Sequence, residues 1–404
     1  MTEKQFANFE EQYFDLLLNF CLKIDKILFI SCDRVCEQTA LKFQRFAKKN
    51  GVQEVHIFWQ DAKKEAEILR QINCEEIKNH PAFDMSEWNE YADRGAAFMI
   101  FKTEIPKVFN GIDERKLVEA AKVKRLSQSQ YKTKQLSYKV SWTIAILPNE
   151  VWAQEIYPQV ENAYDKFYTA IFETCMIDGK GNIVEKWQKQ LSGNSALADK
   201  LNKLQITQLH YTAPNGTDLT VKLRPTAVWL GADKGGMVVN MPTYEVFTFP
   251  DAGGIDGIVK STRLLKYNGA KIDDFELRFK NGKVVDVKAK CGEEALKFLT
   301  ACDSGSNSLG EVAIVDCQSP VALQNKAFGI TLLDENAACH FAFGNAYPST
   351  FKNYASTPAD KLLDEGFNVS SVHVDFMVGY DKLTITAKTV EGEITVMKDG
   401  RIIL

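Results

Sequence analysis

Three carboxylates and two imidazoles in the second half of this chain each sit beside an apolar run. They are Glu245 in NMPTYEVFTFP, Glu311 in LGEVAIVDC, His340 in DENAACHFAFGNAY, and His373 with Asp375 in SVHVDFMVG. A carboxylate buried beside such a run must be paired, protonated or bound to metal, because an isolated buried charge costs several kcal/mol or more. Glu311 is expected to open a strand whose Val312, Ala313, Ile314 and Val315 are buried. His373 and Asp375 are two apart on an expected strand, so both side chains project from one face. Taken together, the five residues suit two divalent ions if one carboxylate bridges. Mixed imidazole and carboxylate ligation favours zinc, cobalt or manganese, and carboxylate-rich sites also take magnesium. None of the five histidines is followed by glutamate, which excludes the HExxH zinc motif.

Each position taken singly has a plainer explanation. Glu245 and Glu311 could stand at strand ends, in solvent or paired with some of the 49 lysines and arginines. His373 and Asp375 could lie on an exposed edge, although Val372, Val374, Phe376 and Met377 around them argue for burial. The stretch 334–347 reads as a helix by its alanine content and apolar spacing, which places His340, Gly344 and Tyr347 at i, i+4 and i+7 on one face. An imidazole and a phenol would then point the same way, or His340 would simply be a hydrogen-bonded histidine on a buried amphipathic helix.

The elements that must hold these residues fall into two halves. Residues 4–24 have helical spacing, and KILFISC (26–32), EVHIFW (54–59), AAFMIFKT (96–103) and VSWTIAILP (140–148) read as buried strands. Helical stretches at 34–50, 61–78 and 113–127 separate them, which predicts a Rossmann-like parallel sheet with helices on its faces. No GxGxxG or Walker A pattern follows these strands, so the sheet implies no nucleotide and reads as scaffold. Residues 150–204 look helical. From Gln205 onward the chain alternates in short runs such as 227–242, with Asn215-Gly216, Asn281-Gly282 and Asp399-Gly400 as hairpin turns. The expected organisation is an N-terminal α/β domain, 1–204, and a β-rich α+β metal-binding domain, 205–404, carrying inserted helices near 292–302 and 334–346.

A chain of 404 residues has room for two or three domains. A net charge of -4 gives no basic excess for nucleic acid. The nine cysteines are odd in number and form no CxxC pair, which reads as reduced thiols in a cytoplasmic protein. The acidic N-terminus lacks a signal-peptide pattern and no apolar run approaches a membrane span, so neither secretion nor a membrane is expected.

Several of these segments, in this order, resemble one family. PTYEVFT followed by GIDGIVKST, then LGEVAIV, DENAACHFAFGNAYP and HVDFMVG, are similar to the thermophilic metalloprotease-type dimetal aminopeptidases typified by aminopeptidase T and aminopeptidase S. EVHIFW, DRGAAFMIF and LPNEVWAQEIYP extend the resemblance over nearly the whole chain. It implies that Glu245, Glu311, His340, His373 and Asp375 bind two metal ions, with Glu311 near both or acting on the attacking water. It implies that Tyr347 is catalytic, hydrogen-bonding the oxyanion of the tetrahedral intermediate, and that Glu335 orients a metal-binding group. It implies a homodimer acting on peptides with a free N-terminus. The pattern departs at Tyr244, where a small or acidic residue is expected, and this bears on the shape of the substrate pocket. A narrow-specificity amidase or peptidase of the same family is one alternative; a catalytically silent binding scaffold is another, opposed by the presence of every expected site residue.

Overall fold

The computed structural model describes residues 1–234, 236–267 and 269–404, so Gly235, inside the alternating run 227–242, lies outside the described residues. The chain divides into two compact units, one formed by Met1–Lys186 with Asp233–Pro242, the other by Trp187–Ala232 with Thr243–Leu404. The division therefore runs within the helix Ile183–Lys203, which belongs from Trp187 onward to the second unit.

In the first unit the four expected strands form one parallel sheet, in the order Glu54–Gln60, Ile27–Asp33, Ala97–Lys102, Trp142–Ile146. Its central strands are apolar on both faces because helices cover both. Leu28, Phe29, Ile30, Phe98 and Met99 are fully buried, and Phe29 packs on Trp88, Tyr91 and Phe98 at ring-centroid distances of 5.1, 5.0 and 5.1 Å. Two crossover helices and the helix that follows the last strand carry local start signals. Asp61 accepts the Lys64 amide, Asp113 the Arg115 amide and Asn149 the Trp152 amide, each capping a helix that would otherwise leave its first N–H groups unpaired.

The second unit is β-rich, as expected. Among the described residues it contains a nine-stranded antiparallel sheet and a five-stranded antiparallel sheet. The hairpin turns at Asn215-Gly216, Asn281-Gly282 and Asp399-Gly400 join neighbouring strands of the larger sheet. The helix expected near 292–302 spans Glu293–Thr300.

The five-stranded sheet carries the site. Its order is His373–Met377, His340–Gly344, Leu309–Ile314, Val246–Thr248, Leu230–Gly231. Strand alternation divides its side chains cleanly. Val246, Val312, Ile314, Phe341, Phe343 and Phe376 point into the core shared with the larger sheet, where Tyr211 meets Phe341 at 4.9 Å and Phe275 meets Phe376 at 5.7 Å. By the same alternation the opposite face receives Glu311, His340, Ala342, His373 and Asp375.

One expectation is overturned here. The stretch 334–346 is not a helix: a single helical turn, Thr331–Asp334, runs into a 3-10 turn at Glu335–Ala337, and His340–Gly344 is a strand. Strand pairing on both sides overrides the helical preference of the alanines, and the alternation of Phe341, Ala342 and Phe343 was the signal for it. His340, Ala342 and Gly344 thus share a face by period two, not His340, Gly344 and Tyr347 by helical spacing. Glu311, expected to open its strand, is the third residue of Leu309–Ile314.

Candidate metal centre

Cross-strand register assembles the acids and imidazoles. Ala342 pairs with Glu311 on one neighbouring strand and with Asp375 on the other, so a methyl group separates two carboxylates in one row across the sheet. The adjacent rows supply His340 and His373, paired with Ala313 and Gly344. Glu245 stands immediately before Val246–Thr248. A divalent ion could be held by either of two overlapping groups, Glu245 with Glu311 and His340, and Glu311 with His373 and Asp375, and Glu311 belongs to both. The five residues singled out in the sequence are thus brought together.

The ring orientations of the histidines are fixed from behind. His340 Nδ1 lies 3.1 Å from Ala338 O and His373 Nδ1 lies 2.7 Å from Asn345 O. A carbonyl can only accept, so each Nδ1 carries the hydrogen and each Nε2 turns toward the carboxylates. His340 Nε2 is 3.1 Å from Glu245 Oε2 and 3.3 Å from Glu311 Oε1. His373 Nε2 is 3.4 Å from Asp375 Oδ1 and 3.7 Å from Glu311 Oε2. Lone pairs of nitrogen and oxygen converge at these distances, an arrangement that requires protons on both rings or cations between the groups. Glu245 Oε2, Glu311 Oε2 and His340 Nε2 are buried with no hydrogen bond of good geometry, as expected of atoms directed at a metal ion.

Charge tells the same story. Burial raises the Glu311 pKa despite the opposing pull of His340 and His373. Glu335, also buried, is pushed well above the usual carboxylate range by desolvation and then by Glu245 and Asp375. Burial alone would lower the His340 pKa, but Glu245 and Glu311 reverse it and hold it well above the ordinary value. His373 is raised in the same way, against burial, to about 9 by Asp375 and Glu311. Four acids, Glu245, Glu311, Glu335 and Asp375, crowd two imidazoles, and divalent cations would relieve the cost of ionising those acids together. The residues therefore fit a metal centre.

Tyr347 lies at the rim, its ring 4.6 Å from that of His373 and 5.9 Å from that of Phe247. Tyr244 is buried with its ring 5.4 Å from that of Trp187, and its amide donates to Asn336 Oδ1 at 2.6 Å. Asn336, fully buried beside Glu335, thereby fixes the backbone just before Glu245; this role had no signal in the sequence beyond its place in the DENA stretch. Gly344 has φ +90°, and a Cβ there would meet the Val372 carbonyl oxygen at 2.2 Å. Gly344→Ala is expected to destabilise the protein by about 2–4 kcal/mol through backbone strain and overpacking. Urea unfolding checks this, and an unchanged midpoint would show that the His373 strand can move aside freely.

Residues 7–402 match the thermophilic metalloprotease family (M29). The chain belongs to that family. Relatives of this metalloprotease include aminopeptidase 2 of Geobacillus stearothermophilus, 34% identical over 95% of this chain and 94% of its own length. Aminopeptidase AmpS of Bacillus subtilis is 35% identical over 86% of each chain. The structure of wild-type AmpT from Thermus thermophilus superposes with a TM-score of 0.88 at 28% identity, covering 99% of this chain and 100% of that one. The metalloprotease also shares its fold, at 13% identity and a TM-score of 0.52, with 2,5-dihydroxypyridine dioxygenase from Pseudomonas putida. Membership makes the chain a metal-dependent peptide hydrolase, and no described helix is long and apolar enough to cross a membrane.

Proposed function

We propose that this metalloprotease is a cytoplasmic, homodimeric aminopeptidase that removes N-terminal residues from peptides with a free amino group, using two divalent cations drawn from zinc, cobalt, manganese and magnesium. The observation that carries the two-cation reading is the membership of Glu311 in both overlapping groups of ligand atoms. Glu245 and His340 complete one half of the site and His373 and Asp375 the other, with Glu335 orienting a metal-binding group. On this reading the catalytic domain, expected at 205–404, is the unit formed by Trp187–Ala232 with Thr243–Leu404. The cytoplasmic assignment rests on the nine cysteines, odd in number and without a CxxC pair, the dimer on the family resemblance.

When bound, the cations supply Lewis acidity, lowering the pKa of a water and polarising the scissile carbonyl. The protein does the rest. Glu311 takes the proton of the attacking water and passes it to the leaving amine. Ala338 O and Asn345 O hold both imidazoles in the tautomer that directs Nε2 into the site. Tyr347 donates its hydroxyl hydrogen to the oxygen on which charge develops.

The test is hydrolysis of aminoacyl-p-nitroanilides and of short peptides, free or N-acetylated, before chelation, after it, and after each of the four metals is restored. Cleavage confined to free N-termini, lost on chelation and recovered with metal, is expected. Cleavage of acetylated peptides would refute exopeptidase action, and silence with metal bound would favour the narrow-specificity reading that Tyr244 raises.

A further inference from the structure

A carboxylate outside the ligand set ties down the strand that carries His373 and Asp375. Asp303 lies in a loop after the helix Glu293–Thr300, and its oxygens meet a continuous set of donors. They accept the Gly305 and Ser306 amides within its own loop, each at 2.9 Å. They also accept the Ser370 hydroxyl at 2.8 and 3.0 Å, the Ser371 amide at 2.6 Å and the Ser371 hydroxyl at 2.6 Å. These bonds outweigh the cost of desolvation and hold the Asp303 pKa down at about 2. The carboxylate is therefore ionised at any working pH and grips the two residues that lead, through Val372, into His373.

The grip reaches the imidazole by a short route. Ser370, held by Asp303, donates its amide to Asn345 Oδ1 at 3.2 Å and its hydroxyl oxygen accepts the Val372 amide at 3.2 Å. Asn345 donates its own amide to Val372 O at 2.7 Å, and its carbonyl accepts His373 Nδ1–H at 2.7 Å. Asn368 closes the same junction from the other side, donating to Gly305 O at 2.9 Å and Gly344 O at 2.6 Å. The fit leaves no slack: a Cβ on Gly305 would lie 2.1 Å from Val369 O. On the other half of the site, where His340 is oriented by Ala338 O, the buried Asp334 accepts the Phe328 and Gly329 amides at 2.8 and 2.7 Å. It does so four residues before Ala338, and so holds the turn rather than the residues next to the imidazole.

We infer that Asp303 is a positioning residue for one half of the metal centre: by anchoring Ser370 and Ser371 it fixes the carbonyl that orients His373, and so sets the affinity of the His373 and Asp375 half for a cation without touching it. The inference rests on the two-cation reading. Loss of the carboxylate loosens Ser370 and Ser371, lets the 368–372 segment relax away from Asn345, and leaves the His373 ring without a fixed direction. Groups that orient a metal-binding histidine commonly carry about 10- to 100-fold in metal affinity.

The probe is Co²⁺ added to metal-free full-length protein, followed by its visible absorption and by calorimetry. The wild type is expected to bind two ions in separable steps. Asp303→Asn is expected to weaken one step by about 10- to 100-fold and leave the other unchanged, with Ser370→Ala producing a smaller shift of the same step. A wild type that binds fewer than two ions overturns the two-cation reading on which the inference rests. Two unchanged steps in a folded Asp303→Asn overturn the inference alone, as does equal weakening of both steps. If Asp303→Asn does not fold, the Ser370→Ala and Ser371→Ala variants decide by the same criterion, and unchanged steps in both overturn it.

Discussion

Glu311→Gln is expected to reduce peptide hydrolysis by about 10²–10⁴-fold if its loss removes only proton transfer, and further if a cation is lost with it. The expectation follows from where the residue stands. Glu311 is 4% exposed, in the middle strand of the site, and its two oxygens approach the two imidazoles separately, Oε1 toward His340 and Oε2 toward His373. An amide of the same shape keeps the packing but cannot take a proton from water and offers one oxygen where the carboxylate offers two. The fold should survive, because the amide keeps the shape of the side chain and its oxygen can accept the Nε2–H of a protonated imidazole. In the metal-free protein the variant is expected to be at least as stable as the wild type: burial disfavours the Glu311 carboxylate, and a neutral amide avoids that penalty. Turnover is measured beside metal content and thermal unfolding. Near-normal turnover with metal bound would remove Glu311 from the chemistry, and a collapse of stability would make it a structural acid.

Much of this site was legible before any coordinates because strands write their faces in period two. His373 and Asp375, separated by one residue and followed by Phe376, could share a face only as a strand, and they do. Glu245 and Glu311 were recognisable as acids beside runs too apolar to leave them unpartnered. The parallel sheet of the first unit was legible for the same reason, since its buried strands are near-continuous apolar runs between helical stretches. What failed was 334–346, where alanines and one glycine satisfy a helix and a buried strand equally well, and only pairing with Leu309–Ile314 and His373–Met377 decides. The orienting groups were illegible for a different reason. Ala338 and Asn345 act through backbone carbonyls, which every residue possesses, and Asp303 acts on serines some 67 positions away, so neither type nor spacing marks them.

Tyr347→Phe should lower kcat by about 100- to 1000-fold, the usual cost of removing one oxyanion donor, and change KM far less. The variant isolates the hydroxyl. Phenylalanine keeps the ring that packs 4.6 Å from His373 and 5.9 Å from Phe247, so the rim of the site should hold its shape. The residue is 38% exposed, which leaves it on the side from which a peptide can reach the buried ligands. A phenol is protonated at neutral pH in any case, and in the metal-free protein loss of water around the hydroxyl, then the negative charge of Glu311, Asp375 and Glu335, lift its pKa well above 10.0. A phenol so placed is a poor acid toward solvent and a persistent donor toward any oxygen that gains negative charge beside it. The ground-state carbonyl carries little such charge, so the hydrogen bond strengthens as the tetrahedral intermediate forms, and its loss should appear in kcat and kcat/KM together. A rise in KM at constant kcat would instead mean that Tyr347 binds the substrate before reaction, and the oxyanion would then have to be stabilised by the cations alone.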